Sequence, residues 1–283
     1  MRFMVLSAFG FSVMAFCVKY ANLEGIPVLE IVAARALISL LLSYADIHRK
    51  RIPVFGQRKD LLFMRGLVGS VTLVCVYYSI THLPLAEATV LQYLYPIFTA
   101  VLALFFLKEH IHWSLIVSIV LSFIGLLLVV RPTFLFGELA QDLSYFAVLV
   151  GILGAIGSSI AYVLVRKLNQ TEDSSVIIFY FPLIALPFSL ILLGNDFVMP
   201  SAYTCGLLVL VGIFTQVGQI GLTKAMQTEA AGRATAFSYL QVVFATLFGW
   251  FFFQEIPGMW FVVGAFFILI GVLVNLMAKH KAS

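Results

Sequence analysis

Thr89, Gln92, Tyr93, Pro96 and Thr99 recur three and four residues apart in an otherwise apolar run, so on a helix they share one face. Thr235, Ser238, Tyr239 and Thr246 repeat the arrangement later, and Thr215, Gln216, Gln219, Thr223 and Gln227 form a third stripe. Hydroxyls and amides at this spacing recognise a ligand or bond one helix to the next; they supply no nucleophile or base. A single stripe reads as helix glue. Three coincident stripes, with Tyr77 and Tyr78 in a further run and Ser158 and Tyr162 in another, read as the wall of a polar cavity. Arg35, in IVAARALISLLL, is the one basic residue expected deep in an apolar run. Its planar fork suits either the carbonyls of a neighbouring helix end or the carboxylate or phosphate of a ligand. Glu30 is the first candidate for proton coupling. No HExxH, GxSxG or Walker-type loop occurs, and His48, His82, His110, His112 and His280 are scattered. The reading is therefore no catalytic set, no metal, no cofactor and no ATP-driven pump.

The elements that must position these residues follow from composition. The chain of 283 residues is 62% hydrophobic and 11% charged, outside the soluble range. Its apolar residues fall into ten runs near 4–21, 28–45, 62–81, 87–107, 113–130, 145–165, 174–194, 203–224, 232–253 and 259–277. About 20 helical residues cross a hydrocarbon core, so each run predicts a membrane span. Unbroken apolar runs exclude a β-barrel, whose strands alternate. The first run follows Arg2 as a signal peptide would, but no small-x-small site precedes Lys19, so it is read as a retained helix. Cys17, Cys75 and Cys205 sit in or beside apolar runs and read as small hydrophobes.

The chain also matches itself. Residues 88–109, ATVLQYLYPIFTAVLALFFLKE, reappear as 234–255, ATAFSYLQVVFATLFGWFFFQE, an offset of 146 that sets Thr89 on Thr235, Tyr93 on Tyr239 and Glu109 on Glu255. Ser12 and Lys19 align with Ser159 and Arg166 one residue further on. Two five-helix repeats, 1–140 and 141–283, follow. Five spans is an odd number, so the second repeat enters the membrane from the opposite face. The fold expected is all-α integral membrane, ten transmembrane helices as two inverted five-helix repeats. Lys and Arg concentrate on the N-terminal side (Arg2, Arg49, Lys50, Arg51, Arg58, Lys59, Arg65, Arg166 and Lys167 among them), leaving Lys19 and Arg131 opposite. Both termini are then cytoplasmic, in the inner (cell) membrane. The basic loop from His48 to Lys59 is a topology signal or a contact with anionic lipid, not a nucleic-acid site.

Together these residues resemble the drug/metabolite transporter superfamily in its EamA-type, ten-helix branch. The likeness rests on Arg35, on RGLVGSVTLVCVYYSITHLPLAEATVLQYLYPIFTAVLALFFLKE with Pro96, on Glu109 and Glu255 closing the fourth helix of each repeat, and on Arg131-Pro132 after a Gly-bearing fifth helix. It departs at Pro182, where the second repeat would carry the equivalent of Arg35, and at Val242, which stands at the position of Pro96. The resemblance implies a secondary transporter of a small organic metabolite, of an amino-acid or nucleotide-like class, by alternating access with export favoured. Import, or a membrane assembly role without transport, are the alternatives. Partners would be the substrate and the bilayer, with a homodimer compatible. The cavity expected at mid-membrane draws on Arg35, Tyr77, Tyr78, Gln92, Tyr93, Ser158, Tyr162, Gln216, Gln219, Ser238 and Tyr239. It suits an amphipathic or aromatic ligand with one charged end.

Overall fold

Inside hydrocarbon every backbone N–H must find a carbonyl, and an unbroken apolar run of about 20 residues does so within its own segment as helix. A computed structural model describes residues 2–83, 85–136, 144–253 and 258–280. In chain order the helices are α1 (Arg2–Leu23), α2 (Val28–Lys50), α3 (Lys59–His82), α4 (Leu85–Gln92), α5 (Tyr95–Phe106), α6 (Trp113–Val130) and the short α7 (Thr133–Phe136). There follow α8 (Tyr145–Leu168), α9 (Ser174–Leu193), α10 (Ala202–Thr228), α11 (Ala231–Ala236), a single 3-10 turn (Phe237–Tyr239), α12 (Leu240–Phe253) and α13 (Met259–His280). Among the described residues ten spans are long and apolar enough to cross a membrane, the fourth made by α4 with α5 and the ninth by α11 through α12. The sequence edges hold within a few residues, but polar ends extend the helices: α2 runs on to Lys50 and α3 begins at Lys59. Side-chain caps fix three starts, where Ser144, Asp173 and Ser201 accept the N–H of Ala147, Ser175 and Thr204.

The fourth and ninth spans are expected as continuous helices and are instead broken. Pro96 has no N–H to donate back to Gln92, and the helix stops there to restart at Tyr95. The equivalent point of the ninth span has Val242, yet a 3-10 turn interrupts it at the same level. The loosened carbonyls find side-chain donors on helices distant in sequence. Ser159 Oγ donates to Tyr95 O and Ser12 Oγ to Gln241 O, each at 3.0 Å. Tyr239 Oη donates to Tyr93 O at 2.9 Å.

Packing follows the same exchange. α1 lies on α10 and α12, while α8 lies on α3 and α5; α2 meets α10 as α9 meets α3. The sequence offset converts each pairing into the other, and turns the α2–α9 and α6–α13 pairs into themselves. Small residues set the closest approaches. A Cβ on Gly125 would lie 2.5 Å from Gly264 O, and one on Gly264 2.6 Å from Gly125 O, so α6 and α13 touch backbone to backbone. Gly151 and Gly154 place α8 against Ser79 and Val76 of α3 in the same manner. Outward faces carry exposed Phe105, Phe106, Trp113, Trp250 and Phe251, the apolar belt expected of a lipid-facing surface. The boundary drawn between residues 140 and 141 lies outside the described residues.

Candidate functional site

The interrupted helices, with α1, α2, α3, α8, α9 and α10, enclose a cavity of about 970 Å³. It runs from buried Met4, Arg65 and Leu222 to exposed Lys19 and Asn22, so it is shut near the termini and open at the far end. Arg35, Tyr77, Gln92, Tyr93, Ser158, Tyr162, Gln219 and Ser238 all line it. Each of the three polar stripes therefore sends residues into one space, the third through Gln219 alone.

Three residues assigned to the cavity from spacing alone lie elsewhere. Tyr78 is about 100° round the helix from Tyr77. Its ring stacks on His82 at 3.9 Å and meets Phe146 at 5.6 Å. Gln216 is buried between helices, accepting from Ser39 and donating to Ser43 at 2.8 Å. Tyr239 is fully buried, its ring 5.7 Å from Tyr93 and its hydroxyl spent on the Tyr93 carbonyl. Those two residues bond helices together, as does Gln227, which donates to Ser174; of its stripe only Gln219 reaches the cavity. Glu30 is also apart from the cavity: buried at the start of α2, its carboxylate accepts the Val198 N–H at 2.9 Å. Gln254 and Glu255 lie outside the described residues.

Arg35 is half-buried and faces the cavity. Its Nη1 meets the Met14 thioether at 3.9 Å, with Tyr77 in electrostatic reach. A second cation corrects the expectation that Arg35 stands alone. Arg65, counted with the loop charges by sequence, is the seventh residue of α3 and only 4% exposed. Its guanidinium carbon sits 5.0 Å from the Phe181 ring centroid, and its Nε has no hydrogen-bond partner. Gly69, one turn on, leaves it room; a Cβ there would come within 2.6 Å of Nη1. The sequence held a signal for this: small residues at 66 and 69 mark the face on which a neighbour packs closely. An arginine opposes insertion by about 2.5–3.5 kcal/mol at the bilayer centre and by less toward its edge; one buried here with its Nε unpartnered points to function. Lys19 joins the two arginines on the wall, and the described lining holds no Asp or Glu.

The shut end is held by charge. Arg166 Nε pairs with Glu109 Oε1 at 2.9 Å while its Nη1 donates to Met226 O at 2.6 Å, and Glu109 Oε2 accepts the Ala231 N–H at 2.8 Å. Lys50 pairs with Asp173 and with Asp46, each at 2.9 Å. Burial works to raise the Asp173 pKa, but the Ser175 N–H and the Lys50 ammonium outweigh it and hold it below the usual carboxylate range. Glu172 Oε1 accepts the N–H of Gln57 at 2.8 Å, fixing the basic loop against the α8–α9 turn. Among the described residues no group of three or more His, Cys, Asp or Glu is placed to hold a metal.

Residues 1–131 and 145–277 each match the EamA-like transporter family. The pseudopaline exporter CntI of Pseudomonas aeruginosa is 34% identical over 274 residues, covering 95% of this chain and 93% of its own. Solute carrier family 35 member G1 of Mus musculus is 35% identical, covering 94% of this chain and 75% of its own. An S-adenosylmethionine uptake transporter of Rickettsia felis is 27% identical, covering 86% and 80%. A solved crystal structure superposes with a TM-score of 0.86 over 100% of this chain and 98% of its own; at 17% identity it speaks to the fold alone.

Proposed function

Because the chain belongs to the EamA-like transporter family, and so is a multi-pass membrane transporter and not an enzyme, we propose that it is a secondary carrier of a small organic metabolite. It works by alternating access of two inverted five-helix repeats, with export from the cytoplasm as the favoured direction. The observation that carries the reading is the cavity: walls from both repeats, a polar and aromatic lining, one end open and the other closed. A site at the junction of repeats and beside interrupted helices is where such carriers bind. The reciprocal Ser12–Gln241 and Ser159–Tyr95 bonds support the idea that the halves exchange conformations. The open end is then the outer face, and the Glu109–Arg166 cluster closes the cytoplasmic one. Arg35, Tyr77, Gln92, Tyr93, Ser158, Tyr162, Gln219 and Ser238 are the residues proposed to meet substrate. Export rests on the likeness to the pseudopaline exporter; the likeness to an uptake transporter makes import the second reading.

Counterflow in proteoliposomes tests the function. Amino acids, nucleotide-like compounds and other metabolites are offered as unlabelled internal solute, with and without a proton gradient. At least one should drive saturable exchange. Well-folded protein that exchanges none would instead support a membrane assembly role.

A further inference from the structure

We infer that the cavity is built for an organic anion and that Arg65 holds its carboxylate or phosphate oxygens. The inference rests on the carrier reading for the ligand's path, but the recognition itself stands on the geometry of one side chain. Arg65 is 4% exposed and lines the cavity near its closed end. A desolvated guanidinium still carries five N–H donors, and contact with the Phe181 ring uses the face of the plane and none of those donors. No carboxylate or carbonyl accepts from Arg65 among the described residues, and its Nε is buried without any partner. The same chain gives Arg166 partners at Nε and Nη1, namely Glu109 and two carbonyls. An arginine left open in this way, beside a cavity, is a donor set awaiting planar oxygens.

The surroundings select the sign and shape of what fills it. Lys19 and Arg35 line the same cavity and no Asp or Glu does among the described residues, so the charge on the described wall is positive and opposes a cation. Tyr162, in electrostatic reach of Arg65, and Thr72 offer neutral hydroxyls to the remaining oxygens. Phe181, Phe11 and Val76 give the rest of the ligand an apolar and aromatic wall. The ligand is thus an oxoanion head on a compact apolar or aromatic body.

Full-length protein in nanodiscs is offered phenylacetate against phenylacetamide, phenyl phosphate against phenol, and phenethylamine, with the shift in unfolding midpoint as the readout. At least one anion should stabilise the protein while its neutral counterpart and the amine do not; which anion does so separates carboxylate from phosphate. Arg65→Gln and Arg65→Lys should each weaken that anion by about tenfold or more, because bidentate pairing is lost. In the wild-type chain the bound anion should also shield Arg65 from phenylglyoxal, which decides the matter where a variant does not fold. Stabilisation by the amide, phenol or amine as strong as by the anion, no anion binding at all, or an unshielded Arg65 beneath a bound anion would each overturn the proposal. Arg65-dependent binding without flux in proteoliposomes would leave the anion site standing and remove the carrier. Flux of neutral or cationic solutes, untouched by Arg65→Gln, would do the reverse.

Discussion

Arg35 and Arg65 are both cations inside the bundle, yet their neighbours predict different penalties for removal. Arg35 is half-buried, and its one hydrogen-bond contact is the weak acceptor Met14 Sδ at 3.9 Å. No carbonyl cluster depends on it among the described residues. Arg35→Gln should therefore keep its unfolding midpoint within a few degrees of wild type, while substrate affinity falls; Arg35→Lys should behave likewise, having lost the fork. Normal affinity in folded Arg35→Gln would remove it from the substrate site. Gly69 supplies a second test at this scale. A methyl there would claim the space of Arg65 Nη1 and of the Phe181 ring, 2.6 and 2.8 Å from the new Cβ. Gly69→Ala should insert and fold but bind its substrate more weakly, read as a raised KM in transport. An unchanged KM would mean that the position of the guanidinium does not matter.

Elements behave differently from single residues because an interrupted helix must have its freed carbonyls satisfied in a membrane. Tyr239 does this for Tyr93, from one interrupted span to the other. Tyr239→Phe keeps the buried ring but leaves the carbonyl without its donor, which should destabilise by about 1–3 kcal/mol. Thermal unfolding in detergent checks the value; a midpoint equal to wild type would mean that another donor takes over. The α2–α9 contact has a pH dependence with a defined sign. Asp173 has a lowered pKa in the folded protein, so its pairing with Lys50 favours folding above the unfolded carboxylate pKa of about 4. That contribution disappears as the pH falls through the lower folded value. Asp173→Asn keeps the N-cap and loses the charge, so its midpoint should fall less steeply than wild type between about pH 5 and 3. Parallel curves for the two would show that the pair adds nothing.

At the scale of the whole molecule, the balance between closed and open ends depends on the charged cluster beneath the cavity. Glu109 joins the end of α8, through Arg166, to the start of α11, through Ala231. Glu109→Gln removes the charge that Arg166 needs and should shift the population toward a state open at the termini side. A cysteine at Ser158, on the cavity wall, reports the shift: its labelling from the far side should slow in the Glu109→Gln background. Equal labelling in both backgrounds would show that the cluster does not bias access. Topology is checked separately. Tags at both termini and in the loop between α2 and α3 should lie in the cytoplasm, whereas tags at Lys108-Glu109 and Gln254-Glu255 should report opposite faces. The same face for those two sites would end the inverted-repeat reading.

Composition and the length of the apolar runs alone determined ten membrane-spanning helices, because unbroken runs of this length cannot be barrel strands and must satisfy their backbone as helix. Self-similarity in Thr, Tyr and Glu, hard to assign to chance in so apolar a chain, marked the stretch whose Gln92 and Tyr93 turn to the cavity. Spacing of three and four could not separate Gln219 from Gln216, since both lie on one stripe and only the approach of Ser39 and Ser43 on α2 claims the latter. It could not separate Tyr77 from Tyr78 either, until the packing of α3 on α8 fixed the helix rotation. Pro96 accounts for the break in the fourth span, which reads as continuous from sequence, while the matching break in the ninth has no proline to mark it. Arg65 shows the limit most plainly: four residues inside an apolar run, it reads as an edge charge free to reach water. Only the placement of α9, with Phe181 laid over Gly69, shuts that exit and turns the guanidinium into the cavity.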